Sequence, residues 1–162
     1  MVAGIYHLRY LHNPDVVVEV HPVNQSGASG REVSDLDVYL NGKLIISNEL
    51  KDKEYAEPDV RHAADKVMSA GGTGMLFIEG PRGKKSHDFV SAIQDEYMSR
   101  NFLLRVLSYQ FFMSSILPSL EFIDCREFNR FILKTAQETK FKEEVIDYLD
   151  ALAQKIFGLT RN

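Results

Sequence analysis

The twenty residues from Ser34 to Lys53, SDLDVYLNGKLIISNELKDK, constrain this chain more than any other stretch. Asn41-Gly42 stands between two apolar-rich runs, and Asn-Gly in that setting is the strongest short-range signal for a β-hairpin. Strand side chains alternate faces, so Glu49 and Lys51 project from one side, and Asp35 and Asp37 share a face in the same way. How the arms meet depends on the loop. A three-residue loop, Asn41 to Lys43 with a bulge, pairs Leu40 with Leu44 and sets Asp35 opposite Glu49. A two-residue loop shifts the pairing by one and sends the carboxylates to opposite faces. The first register is the expectation, because it gathers two carboxylates and an ammonium, a cluster that metal-assisted chemistry needs and stability does not.

Two carboxylates a few ångströms apart repel unless a cation lies between them. A hard divalent ion, Mg²⁺ or alternatively Mn²⁺, is held by one or two carboxylates together with water and phosphate oxygens. Such an ion polarises a phosphodiester and lowers the pKa of bound water. Asp35 and Glu49 are therefore the candidate ligands, with Asp37 in reserve and Glu19, at the end of the preceding strand, a further acid. Lys51 would offset charge developing on the phosphate, and Lys53 continues its face toward a flanking phosphate. The competing reading is a solvated hairpin with alternating charges, since Glu-x-Lys arises by chance roughly once in a chain of average composition. What favours the chemical reading is order: an acid, a hairpin, then Glu-x-Lys closing an apolar strand.

Asp35 followed by Glu49-Leu50-Lys51 on the next strand resembles the PD-(D/E)XK nuclease superfamily, with Ser34 where that pattern usually has Pro. The longer run from Gln25 to Lys66 resembles type II restriction endonucleases of the SacI-like family. The superfamily resemblance spans about residues 15–107. It implies an α/β, restriction-endonuclease-like core: a mixed central sheet flanked by helices, here followed by a helical C-terminal extension. It also implies Mg²⁺-dependent cleavage of double-stranded DNA within a short recognition site by a homodimer, in company with a cognate methyltransferase. The chain then reads as a C-terminal portion of a longer protein, with Met1 an added start. Two other readings stay open. One is a repair or structure-specific nuclease of the same fold. The other is a non-catalytic DNA-binding or assembly module, whose signature would be a lost acid or lysine; here Asp35, Glu49 and Lys51 are all in place.

At 162 residues one domain is expected, with its core at about 15–107 and the extension at about 108–162. The net charge of −4 is unusual for a DNA-binding protein, although an acidic metal cleft can coexist with a basic face. A single cysteine, Cys125, excludes an internal disulfide framework and a structural zinc site. No signal peptide or membrane-length apolar run is present, which makes the cytoplasm the expected compartment.

Candidate DNA contacts lie in loops and on one helix. The Asn24–Arg31 loop offers Gln25, Ser26, Ser29 and Arg31 beside glycines that let a backbone approach phosphate. The basic turn after Gly80 offers Arg82, Lys84 and Lys85. Arg61 and His62 stand off the apolar stripe of a helix expected over about 59–70, entered at Pro58. Each of these groups also reads as an ordinary solvated surface. Elsewhere, Val16–Val20 is a β-branched strand and Met75–Ile78 a second. A helix from a Ser86 cap to Arg100 and a strand over 102–107 follow, then two amphipathic helices over 127–137 and 142–157, the second with a stripe that includes Val145, Tyr148, Leu149 and Leu152. Strand, helix, strand order argues parallel crossovers and an α/β core. Residues 1–12 fit helix or strand equally.

Overall fold

The structure, a computed structural model, describes residues 1–21, 33–83, 88–120 and 124–158. The chain begins with a helix after all, α1 (Val2–Arg9), followed by β1 (Val16–Val20), β2 (Leu36–Leu40) and β3 (Lys43–Lys51). Then come α2 (Glu57–Ser69), β4 (Gly74–Glu79), α3 (Val90–Ser99) and β5 (Leu103–Ser108). The last part is helical: α4 (Tyr109–Ile116), a 3₁₀ turn at Leu117–Ser119 where Pro118 interrupts, α5 (Cys125–Glu138) and α6 (Glu143–Phe157).

The strands form one mixed five-stranded sheet in the order β1-β2-β3-β4-β5. The first three run antiparallel to one another, while β3, β4 and β5 are parallel. Parallel neighbours need crossovers, and α2 and α3 supply them. This is the α/β, restriction-endonuclease-like architecture expected from the resemblance.

Two apolar layers bind the sheet to its helices. On one face Val60, Ala64 and Val67 of α2 and Ile93 and Tyr97 of α3 pack on Leu44, Met75, Phe77 and Leu104. On the other, Val2 and Tyr6 of α1 and Phe112 of α4 pack on Leu36, Val38 and Ile78. Helix α5 lies against α1, and α6 against α5, so the C-terminal helices return to the start of the chain.

The hairpin departs from expectation in one respect and keeps its consequence. Its loop has two residues, not three: Leu40 pairs with Lys43, and Asn41 and Gly42 both take positive φ, 51° and 73°, as the twist of a tight hairpin demands. Tyr39 pairs with Leu44 but Val38 with Ile46, so Ile45 is an extra residue, a β-bulge within β3. The bulge restores the step that the shorter loop removes. From there Asp37 faces Ser47 and Leu36 faces Asn48, and continuing the register sets Asp35 opposite Glu49. Thr73 Oγ1 donates to the carbonyl of the bulged Ile45 at 3.0 Å.

Other boundaries also move. Helix α3 starts at Val90, with Ser86 outside the described residues. In α6, Leu149 and Leu152 face inward together with Ala153, but Val145 and Tyr148 are exposed, so the inward stripe is narrower than the sequence suggests. Gly158 ends that helix in the left-handed conformation expected of a C-terminal glycine.

Candidate functional site

Asp35, Glu49 and Lys51 lie at the end of the sheet where β2 begins and the parallel strands finish. Open α/β sheets bind ligands outside the carboxyl ends of their strands. A cleft of about 920 Å³ opens there. One rim carries Asp35, Glu49, Lys51, Asp52, Lys53 and Arg82; the opposite wall is the start of α1 and the α5–α6 corner, including Ile132, Ala136 and Phe141.

The strands hold the two carboxylates in place. Asp35 Oδ2 accepts from the Leu50 backbone N–H at 2.8 Å, a bond that crosses from β2's entry to β3. Glu49 Oε2 accepts from the Ser34 hydroxyl at 3.1 Å, and Lys51 Nζ stands 3.7 Å from Glu49 Oε1. Neighbours in sequence on one strand thus anchor the acid on the other. Burial pushes the Glu49 carboxyl above its ordinary value, and the Asp35 charge pushes it further. Lys51, the Ser34 hydroxyl and Lys66 of α2 pull the other way.

Asp37 shares the face of Asp35 but not its exposure. It is fully buried and accepts three hydrogen bonds, from His21 Nε2 at 3.0 Å, the Val33 N–H at 3.2 Å and the Ser47 hydroxyl at 2.5 Å. Glu19 is exposed on the outer strand, paired with Asp37 in register, and does not line the cleft. Among the described residues no group of three or more His, Cys, Asp and Glu side chains is arranged to hold a metal ion. Among the described residues on the cleft rim, Asp35 and Glu49 face each other, while Asp52 is taken up by Arg82.

The candidate DNA contacts divide. Lys53 lines the cleft. Arg82 does too, held by Asp52, whose Oδ2 accepts from Arg82 Nε at 2.7 Å and whose Oδ1 accepts from the Arg82 N–H at 2.8 Å. The Gly80 N–H donates to the Lys51 carbonyl at 2.8 Å, so this turn is fastened to the end of β3. A side chain at residue 80 would clash with the Asp52 carboxylate, which explains the glycine. Arg61 is not at the cleft. Its guanidinium bridges Glu57 at 2.8 Å and Glu96 of α3 at 2.7 Å, clasping the two crossover helices. His62 is exposed on α2 away from the cleft lining. Gln25, Ser26, Ser29, Arg31, Lys84 and Lys85 lie outside the described residues.

Several participants carry no sequence signal. Ser34 and His21 flank strand ends and Ser47 lies in the middle of β3, all ordinary positions until the register brings them to Glu49 and Asp37. Lys66 reads as a solvated helix position. Glu79 is buried beside Lys51 in the β3–β4 register and accepts from the Tyr55 hydroxyl. Only pairing reveals it.

No curated protein matches this sequence. The family described as SacI restriction endonuclease C-terminal domain matches residues 1–81, which take in α1, the whole hairpin, α2 and β4. That is half of the 162 residues, and the chain belongs to this restriction endonuclease family.

Proposed function

We propose that this chain is the catalytic portion of a restriction endonuclease. It hydrolyses phosphodiesters of double-stranded DNA at a defined site, acts as a homodimer, and depends on a divalent metal. The observation that carries this reading is the meeting of Asp35 and Glu49 across the bulged hairpin, with Lys51 Nζ 3.7 Å from Glu49. The donor set suits a hard ion such as Mg²⁺ or Mn²⁺: two carboxylates, in a cleft with room for water and phosphate oxygens. The raised Glu49 supports it as well, since a cation would offset the burial and, after it, the Asp35 repulsion that disfavour the ionised form.

Asp35 and Glu49 would hold the ion. Asp37, buried among its own donors, supports Asp35 instead of binding, and Glu19 stays on the outer strand. An ion held there would supply Lewis-acid polarisation of a phosphate and would acidify water near neutral pH. Lys51 sets a positive charge beside Glu49, where it orients a phosphate and offsets the charge that grows on its oxygens. The Leu50 N–H and the Ser34 hydroxyl keep the carboxylates in fixed rotamers. Lys53 and Arg82 on the same rim take flanking phosphates, contacts that position a duplex without reading its sequence. Palindromic sites are read by two-fold symmetric proteins, hence the homodimer. A restriction role sets the chain in the cytoplasm beside a cognate methyltransferase; no helix among the described residues is long and apolar enough to cross a membrane.

Incubating plasmid with the protein in Mg²⁺, and in EDTA, tests the reading. Discrete fragments that need Mg²⁺ are the expected result. Relaxed circles or a smear would point to a nuclease that reads DNA structure, and would contradict the site-specific assignment.

A further inference from the structure

We infer that His21 is a positioning residue for Asp35, acting through Asp37 to hold the Asp35 carboxylate in front of Glu49. The meaning of this role rests on the metal-site reading above; its substance is geometric. His21 reaches the start of β2 twice. Its backbone N–H donates to the Asp35 carbonyl at 2.9 Å, and its Nε2 meets Asp37 Oδ2 at 3.0 Å. A carboxylate presents only acceptors, so Nε2 carries the hydrogen.

Asp37 also accepts from the Val33 N–H and from the Ser47 hydroxyl. Val33 lies two residues before Asp35 and Asp37 two residues after it. The backbone on both sides of Asp35 is thus drawn to one buried carboxylate, which Ser47 ties to β3 and His21 ties to β1. Asp35 itself precedes the first strand residue, Leu36, where the sheet ladder has not begun to constrain the chain. Repulsion between Asp35 and Glu49 favours their separation. The buckle at Asp37 opposes it.

A Ser-His-Asp set invites comparison with a hydrolase triad, but the connectivity is wrong. A nucleophilic serine bonds to the histidine, whereas Ser47 and His21 both turn to Asp37, and Ser47 is fully buried.

Deuterium exchange at the Leu50 amide reports on Asp35 directly, because that N–H donates to Asp35 Oδ2. In His21→Ala the Leu50 amide is expected to exchange about tenfold faster than in the parent, about the worth of one net hydrogen bond, with β4 amides unchanged. His21→Gln retains an N–H donor and should restore the parent rate. Mn²⁺ affinity, followed by water proton relaxation, should weaken and recover in the same two variants. A purely structural histidine would lower the melting temperature and leave both readouts alone in the folded protein. A folded His21→Ala with parental Leu50 exchange overturns the inference; if that variant does not fold, His21→Phe, which keeps a ring and removes the N–H, decides by the same rule. A parent that binds no Mn²⁺, while its Leu50 exchange still responds to His21, would sink the metal reading and leave the positioning role standing.

Discussion

At Glu49, burial and the Asp35 charge both oppose ionisation, and the pull of Lys51, Ser34 and Lys66 does not fully offset them. The folded pKa therefore lies above the unfolded one, and the folded state binds the proton more tightly. Stability linked to this group is fully present below the ordinary value of 4.5 and is lost as pH rises through the raised folded pKa. Glu49→Gln cannot ionise and keeps an acceptor for Ser34. It is expected to melt above the parent at about pH 8, with the gap closing below the ordinary carboxylate value. Thermal scans at the two pH values check this, and a parent more stable than the variant at the higher pH would contradict it. Added Mn²⁺ should raise the parent's melting temperature and leave the variant's nearly unmoved, because only a site that binds in the folded state stabilises it. Asp35, Glu49 and Lys51 were legible as residues because chemistry restricts their types and the hairpin restricts their spacing. Ser34 and His21 were not, since a hydroxyl or imidazole near a strand end has many ordinary uses. Its partner, Glu49 in the first case and Asp37 in the second, lies 15 or 16 residues away.

The hairpin shows how an element can be read correctly for a mistaken reason. Asn41-Gly42 announces the turn, yet the choice between registers could not come from the turn alone. A two-residue loop was set to separate the carboxylates, and the Ile45 bulge returns Glu49 to the face of Asp35. Nothing in Leu44-Ile45-Ile46 marks which residue is extra, because a bulge is selected by the pairing on both sides and by a distant donor, here Thr73. The turn itself makes a sharp demand: Gly42 has φ of 73°, and Ala there pays the left-handed penalty of about 1–2 kcal/mol. Urea unfolding of Gly42→Ala should show a loss of that size with an unchanged m-value; no loss would mean that the turn is not as described. The strands and crossover helices were legible from β-branched runs, apolar stripes and Gly-Pro punctuation. The first helix was not, since residues 2–9 are apolar on nearly every side, and six of them are buried between sheet and α5.

Across the whole molecule, the net charge of −4 does not arise at the cleft, whose rim sets Asp35, Glu49 and Asp52 against Lys51, Lys53 and Arg82. The opposite wall comes from α5 and α6, and their return to α1 was beyond what periodicity can tell, because a stripe gives a helix a buried face without naming what covers it. The same limit explains Val145 and Tyr148, which are apolar at helical spacing and yet exposed. What joins the sheet, the bulge and the C-terminal wall into one account is the claim that Asp35 and Glu49 are the working acids of a metal-dependent nuclease. The most direct test compares the rate of DNA cleavage in Mg²⁺ by the parent and by Glu49→Gln, each verified as folded. The account predicts a fall of at least about a hundredfold, the scale on which a preorganised electrostatic group acts. A Glu49→Gln protein that cuts as fast as the parent would contradict it.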